Sequence, residues 1–121
     1  MAGMAGESPE DIRLWLDDLS RTGIDDAAFG KLLELAQSGN REIRRMAYLW
    51  LGRSGRKEAV PVLMKALNER FWHFRAAAVT ALADLGAREA LERIQDLAEN
   101  DPAYGVRQDA QRALQRLREE D

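Results

Sequence analysis

The chain has 121 residues, of which 45% are hydrophobic and 32% charged, and its formal net charge at pH 7 is −3. The absence of cysteine excludes disulfides and thiolate metal sites, and it makes a reducing cytoplasm the simplest compartment. No apolar run approaches the roughly 20 residues of a membrane-spanning helix, no signal-peptide pattern opens the chain, and the acidic balance argues against wholesale nucleic-acid binding.

The composition and the hydrophobic periodicity predict an all-α protein. Ala, Leu, Arg and Glu dominate, whereas the strand formers Val, Ile and Thr are few. Apolar residues recur at intervals of three and four along the chain, which is the pattern of amphipathic helices. In chain order, the predicted helices cover residues 9–21, 25–37, 40–53, 57–69, 71–85, 88–99 and 102–118.

The first predicted helix carries a clear start signal. Ser8 is a good N-cap residue, Pro9 suits the first helical position, and two acids follow in the first turn. Its pair Ile12-Arg13 is in phase with similar pairs further along the chain. We therefore interpret this helix as an N-terminal capping half-repeat, with a buried stripe formed by Leu14, Trp15, Leu16 and Leu19.

The later helices repeat with a nearly constant period. An apolar residue followed by arginine recurs in steps of 31, 31 and 32 residues, at Ile12-Arg13, Ile43-Arg44, Phe74-Arg75 and Val106-Arg107. An independent register, Ala28, Ala59 and Ala90, steps by 31 residues each time. Gly55 and Gly86 end matching segments, each 11 residues after its arginine. Two registers with one period indicate a helical repeat protein.

Each period contains two kinds of helix. We call the helices at 25–37, 57–69 and 88–99 the first-kind helices. The second-kind helices, at 40–53, 71–85 and 102–118, carry the repeated arginine and small residues that let neighbouring helices approach closely. Pro61 falls in the first turn of its helix, where its missing N–H costs little.

The repeats resemble a known family. Two consecutive segments carry the resemblance, Glu58-Ala59-Val60-Pro61-Val62-Leu63-Met64-Lys65-Ala66-Leu67 and Phe74-Arg75-Ala76-Ala77-Ala78-Val79-Thr80-Ala81-Leu82-Ala83-Asp84-Leu85-Gly86. Together they are similar to the bacterial HEAT-like repeat, also called the phycobilisome-lyase-type HEAT repeat. The resemblance covers about residues 25–118 and is strongest over 41–98. In the last copy Arg118 replaces the closing glycine, as suits a terminal cap.

The resemblance implies the fold and the domain limits. We expect a right-handed α-α superhelix, or solenoid, of about three HEAT-like hairpins plus the N-terminal capping helix. Residues 8–118 would form this single domain, between flexible tails at 1–7 and 119–121. In the family, the second-kind helices line the concave face and the first-kind helices lie on the convex side.

The resemblance also assigns the repeated arginines a structural role. In the family, the motif arginine typically pairs with an acid six residues upstream, which forms a ladder along the stack. Here the expected pairs are Arg13 with Glu7, Arg75 with Glu69 and Arg107 with Asp101. Arg44 has Ser38 at that spacing, so we expect it to break the ladder.

The sequence contains no catalytic constellation. His73 is the only histidine, and there is no thiol, so nucleophilic catalysis or a metal site would depend on one side chain without suitably spaced partners. The glycines form neither a dinucleotide-binding nor a Walker pattern. We therefore expect a non-enzymatic protein without a cofactor.

The concave face is the predicted binding site. The family's groove positions correspond here to Arg41, Arg45, Met46, Leu49, Arg53, Trp72, His73, Ala76, Thr80, Tyr104, Gln108, Asp109, Arg112 and Arg116. Its arginines outnumber its acids, and aromatic and Arg side chains are typical of binding hot spots. The alternative for Trp72 is packing over the preceding inter-helix turn, and Trp15 and Trp50 are assigned to the core.

These features favour a scaffold that binds a protein or an acidic peptide segment in its groove. One alternative is a nucleic-acid role, because Trp72, Asp109 and Arg112 faintly echo the concave surface of HEAT-like DNA glycosylases. A chromophore-lyase role is suggested by the family name alone, and fold does not imply function. The outer face of the last helix is polar, so we expect a monomer.

Overall fold

A computed structural model describes residues 7–119 of the chain, and the regular secondary structure in that range is helical throughout. The α-helices are α1 Pro9–Thr22, α2 Asp26–Leu35, α3 Arg41–Arg53, α4 Val60–Ala66, α5 Trp72–Asp84, α6 Leu91–Asn100 and α7 Tyr104–Glu119. Short 3-10 turns, Lys57–Ala59 and Arg88–Ala90, lead into α4 and α6. The predicted helices are confirmed. Residues 1–6 and 120–121 lie outside the described residues, so the predicted tails and domain limits stay predictions.

The helices form a stack of two layers. The second-kind helices α3, α5 and α7 pack side by side, and α1 packs on the open side of α3. The first-kind helices α2, α4 and α6 each pack on the second-kind helix that follows them in the chain. This arrangement confirms the all-α solenoid-like fold, with α1 in the place of a second-kind helix. Within residues 7–119, no helix is long and apolar enough to cross a membrane.

Local sequence signals define the helix starts. At α1, Ser8 Oγ accepts a hydrogen bond from the Asp11 N–H, and the Asp11 carboxylate accepts one from the Ser8 N–H, which completes a capping box. At α2 and α3 the cap is a single bond, since the Asp25 side chain accepts from the Ala28 N–H and the Asn40 side chain accepts from the Ile43 N–H. Gly55 and Gly86 have positive φ angles of 71° and 64°, so both act as the predicted helix stops.

The core follows the predicted stripes except in and next to α1. Leu32, Leu63 and Ile94, which share one register, are fully buried. In α1, Leu16 and Leu19 are buried, but Leu14 is 66% exposed, so its assignment to the buried stripe is wrong. Trp15 and Trp50 are only partly buried against the core, and the assignment of both to the core is corrected accordingly.

Helices α3 and α5 meet at a seam of small residues. A Cβ placed on Gly52 would lie 2.5 Å from the Cα of Ala81 and 2.9 Å from its carbonyl oxygen. No side chain fits in that space unless the backbones move apart. On α5, the three consecutive alanines Ala76–Ala78 are all buried. The small side chains therefore set the spacing of the central helices.

We predict that Gly52→Ala destabilises the protein, although alanine is the better helix former. The new methyl group would collide with the backbone of α5, and overpacking of this kind costs about 1–3 kcal/mol. Gly30 in α2 is the matched control, because a Cβ there meets nothing within 4 Å. Gly30→Ala should stabilise the helix by about 0.5–1 kcal/mol. Urea unfolding of both variants measures the change in the free energy of unfolding. Equal stabilisation by both substitutions would contradict the close backbone contact between α3 and α5.

Candidate functional site

The repeated arginines form a ladder that differs from the predicted one. Arg75 donates from Nε and Nη2 to the two carboxylate oxygens of Asp101, at 2.7 and 2.9 Å, so its acid lies 26 residues downstream. Its Nη1 donates to the backbone carbonyl oxygens of Glu69 and Arg70, at 2.8 and 2.9 Å. The residue six positions upstream thus contributes its carbonyl group, and the carboxylate comes from the next repeat.

Arg44 belongs to the ladder, so the prediction that it breaks the ladder is wrong. Its guanidinium is paired with the Glu69 carboxylate of the next repeat and donates to the Tyr48 hydroxyl at 3.1 Å. The guanidinium carbon also lies 4.7 Å from the centre of the Phe74 ring. The Tyr48 hydroxyl, together with the Glu69 charge, raises the pKa of Arg44 above its ordinary value, so the side chain is held as a cation.

The two ends of the ladder are weaker. Arg13 Nε lies 3.0 Å from Glu42 Oε1, but the N–H is not aligned for a hydrogen bond, so this contact is an exposed ion pair. The predicted partner of Arg13, Glu7, is bound instead by Lys31 at 2.6 Å. At the other end, Arg107 donates to the Asp101 carbonyl oxygen at 2.6 Å.

The Arg75–Asp101 pair is the buried rung. The side chains are 12% and 2% exposed, respectively. Burial by itself would raise the pKa of the Asp101 carboxyl, but the bonds from Arg75 and the Ala103 N–H, with the charge of Arg107, outweigh it and lower the pKa below 3.8. These contacts support the predicted structural role of Arg44 and Arg75, whose guanidinium groups are engaged within the protein and are not free to bind a ligand.

A cleft opens between α1 and α3, at the end of the predicted groove. It has a volume of about 330 Å³ and is lined by Asp17, Glu42, Arg45, Met46, Leu49, Trp50 and Arg53. Side-chain size explains its position. Trp50 of α3 occupies the register of Ala81 of α5, the residue that meets Gly52 so closely. A large residue at this register keeps α1 away from α3, where a small one lets α5 approach.

The cleft combines an apolar floor with walls of mixed charge, formed by Arg45 and Arg53 and by the carboxylates of Asp17 and Glu42. Met46, Leu49 and Trp50 are partly exposed there, and the guanidinium of Arg53 lies 4.9 Å from the centre of the Trp50 ring. The Arg45 side chain is exposed and has no hydrogen-bond or ion-pair partner within residues 7–119. Since Glu42 is paired with Arg13 and the Arg53 guanidinium lies over the Trp50 ring, Arg45 is the cation of this cleft with the most freedom to bind an added anion.

A second cluster of predicted groove residues lies at the start of α5 and α7. Trp72 is 39% exposed and stacks on His73, with 3.7 Å between ring centres. A Cβ on Gly105 would lie 2.9 Å from the Trp72 ring, so Trp72 packs against the beginning of α7. Tyr104 is 67% exposed and accepts a hydrogen bond from Gln108. At the start of α3, the Arg41 guanidinium lies 4.6 Å from the centre of the Phe71 ring.

The remaining predicted groove positions carry less unpaired positive charge than expected. Arg112 pairs with Asp109 at 3.2 Å, and Arg116 pairs with Asp84 at 2.9 Å. Thr80 is half-buried. Ala76 belongs to the buried core, so it is corrected from a binding residue to a packing residue. The unpaired positive charge of the predicted groove is therefore concentrated on α3.

Two apolar positions, the partly exposed Trp50 and the exposed Leu14, were missing from the predicted site. Trp50 lines the cleft, although its bulk and helical spacing favoured a core position. Leu14 lies one residue after the ladder arginine of α1, the register of Arg45, Ala76 and Gln108, all of which are predicted groove residues. Applying the repeat register to α1 would have added Leu14 to the site.

Comparison with known proteins identifies the repeat. A family model described as HEAT repeats matches residues 30–115. The match begins in α2 and ends in α7, so it spans the three hairpins and leaves α1 outside. A search of the curated proteins finds no match.

The buried rung yields a prediction about pH. Asp101→Asn leaves the Arg75 guanidinium without its counter-charge, and breaking a buried pair in this way costs about 3–5 kcal/mol. Because the folded pKa of Asp101 is lowered, its contribution is complete above the unfolded pKa, near 3.8, and is lost as the pH falls through the folded value. The stability difference should therefore be largest at neutral pH and should shrink below about pH 4.

Urea unfolding of the wild type and the variant at neutral and acidic pH measures this difference. Asp96→Asn is the matched control, because Asp96 pairs with Arg93 at an exposed site, where a pair contributes only about 0–1 kcal/mol. Equal losses in the two variants, or a gap that does not change with pH, would contradict the assigned role of Asp101.

Proposed function

Because the chain belongs to the HEAT-repeat family, we propose that it is a non-catalytic scaffold that binds a protein or peptide on the face formed by α1, α3, α5 and α7. HEAT repeats are commonly protein-interaction scaffolds, and a stacked array offers a preformed surface that needs no reacting group. The observation that carries the proposal is the cleft between α1 and α3, where an apolar floor lies beside the unpaired Arg45.

The chemistry of the cleft specifies the ligand. Met46, Leu49 and Trp50 would bury one or two aliphatic or aromatic side chains, and such anchors dominate binding energy at interfaces. Arg45 and Arg53 would bind carboxylates on either side of these anchors, with charge-assisted hydrogen bonds. The preferred ligand is therefore a peptide segment that alternates acidic with large apolar residues. The exposed Leu14 extends the same face toward the N-terminal end.

The finer parts of the proposal rest on the sequence. We propose a bacterial protein with phycobilisome-lyase-type repeats that acts in the cytoplasm as a monomer, without a cofactor. The absence of cysteine supports the compartment. The exposed polar side chains of Gln111 and Gln115 on the outer face of α7 support the monomer. A nucleic-acid role is less favoured, because Asp109 neutralises Arg112, the cation that would bind a phosphate.

We predict that Arg45→Glu weakens ligand binding about tenfold or more, because a charge-assisted hydrogen bond contributes about 1.5–3 kcal/mol. The probe is a fluorescent synthetic peptide that alternates glutamate and leucine, and its binding is followed by fluorescence anisotropy. Lys65→Glu is the matched control, since Lys65 is exposed on α4 in the other layer and the charge change is the same. Binding should survive in the control.

A sister peptide with lysine in place of glutamate separates charge recognition from nonspecific apolar contact. The lysine peptide should not bind the wild type and should gain affinity for Arg45→Glu. Equal binding of both peptides, or the same affinity in Arg45→Glu and in Lys65→Glu, would refute the acidic-ligand assignment. Salt-dependent binding of a single-stranded oligonucleotide, abolished by Arg45→Glu, would instead support the nucleic-acid alternative.

A further inference from the structure

One carboxylate of α1 occupies a register that is apolar and buried in the next two repeats. Asp17 lies four residues after the ladder arginine of α1, and Tyr48 and Val79 hold the same position in α3 and α5. Both of these residues are buried. The Tyr48 ring packs edge-on against Phe74 of the next second-kind helix, with 5.8 Å between ring centres. This register therefore faces the following helix of the stack, which for α1 is α3.

The Asp17 carboxylate lies in the open cleft between α1 and α3 and is not engaged by the protein. Asp17 lines that cleft and is exposed. Its carboxylate makes no hydrogen bond or ion pair within residues 7–119. Arg45, which lines the same cleft from α3, is also unpaired in that range, so the two residues do not pair with each other. The cleft therefore holds an unpaired carboxylate on one wall and an unpaired guanidinium on the other.

The ion pair between Arg13 and Glu42 places these two charges at the same level of the cleft. It joins α1 to α3 within the first half of both helices. Because α1 takes the place of a second-kind helix, it runs in the same direction as α3. Asp17 follows Arg13 by four residues and Arg45 follows Glu42 by three, which corresponds to roughly 6 and 4.5 Å along the helix axes. Asp17 and Arg45 therefore lie opposite each other, about one turn beyond the ion pair.

The dimensions of the cleft suit a ligand that carries both signs of charge. In an extended peptide, the two residues that flank one apolar residue are about 6.6 Å apart, and the axes of packed helices are about 8–10 Å apart. A segment that crosses the cleft can therefore place its apolar residue on the floor formed by Met46, Leu49 and Trp50, with one neighbour at each wall. An acid at Arg45 is attracted, whereas a second acid at Asp17 is repelled.

We propose that Asp17 is a specificity-determining residue of this cleft, which selects a peptide with a lysine or arginine beside its apolar anchor, opposite the acid bound by Arg45. The inference rests on the function proposed for the cleft and adds a basic residue to its ligand. A residue that served only packing at this register would be apolar, as Tyr48 and Val79 are. Charge complementarity at an exposed position contributes more to specificity than to affinity, so Asp17 discriminates between acidic peptides.

Fluorescence anisotropy with a set of related peptides tests this role. The parent probe is the synthetic peptide that alternates glutamate and leucine. In each lysine probe one glutamate of the parent is replaced by lysine. In the matched probe the same glutamate is replaced by glutamine, which removes the repulsion from Asp17 without adding an attraction. Every peptide is titrated against the wild type, Asp17→Asn and the control Glu34→Gln, because Glu34 is exposed on α2 in the other layer and the charge change is the same.

We expect one lysine probe to bind the wild type about two- to fivefold more tightly than its glutamine match, which is the gain from one exposed ion pair. Asp17→Asn should abolish this difference, and Glu34→Gln should preserve it. Asp17→Asn should also bind the parent peptide more tightly than the wild type does, because the repulsion is gone.

Two results would overturn the role of Asp17 alone. These are equal affinities of every lysine probe and its glutamine match, or a difference that persists in Asp17→Asn. In either case, binding of the parent peptide that is lost in Arg45→Glu would leave the proposed function intact. Failure of every peptide to bind the wild type would overturn the proposed function and the role of Asp17 together.

Discussion

Gly52 allows the backbones of α3 and α5 to approach more closely than any side chain would permit, and the shape of the molecule follows from this contact. Where α5 presents alanine, the central helices close against one another and leave no room for a ligand. Where α3 presents Trp50 at the same register, α1 is held away and a cleft forms. The volume of the side chain at one register of the repeat thus determines which neighbouring helices pack closely and which pair leaves a cleft.

The arginine ladder acts on the same helices through charge. Buried ion pairs add little net stability compared with apolar residues, because both charges lose their hydration. They do penalise any arrangement in which one partner is buried alone. Arg75 reaches Asp101 across a repeat boundary while holding the carbonyl groups that precede its own helix. The rung therefore fixes the position of one repeat relative to the next.

The sequence predicts the fold well because helix periodicity, caps and glycine stops are local signals. The start of α1 at Pro9, the stops at Gly55 and Gly86 and the burial of Leu63 all follow from residues a few positions apart. The partner of Arg44 does not, because Glu69 lies 25 residues away and meets it only through the packing of two repeats. Spacing within one repeat suggested Ser38 instead. The assignment of Trp50 to the core was wrong for a related reason. Helical spacing predicts the face of the helix on which a residue lies, but it does not predict how far away the neighbouring helix is.

Arginines in neighbouring registers of the repeat differ in environment, with different consequences for stability and for binding. Arg44 and Arg75 are enclosed by carboxylates, hydroxyls, rings and carbonyl groups of the protein, so their removal affects the stability of the stack. Arg45 follows Arg44 directly in the sequence, yet its side chain is exposed and has no hydrogen-bond or ion-pair partner within the described residues. A charge change at Arg45 therefore reports on binding with little effect on folding. Because adjacent residues on one helix differ in this way, loss of binding in an Arg45 variant that keeps its stability would be a property of the cleft and not of the fold.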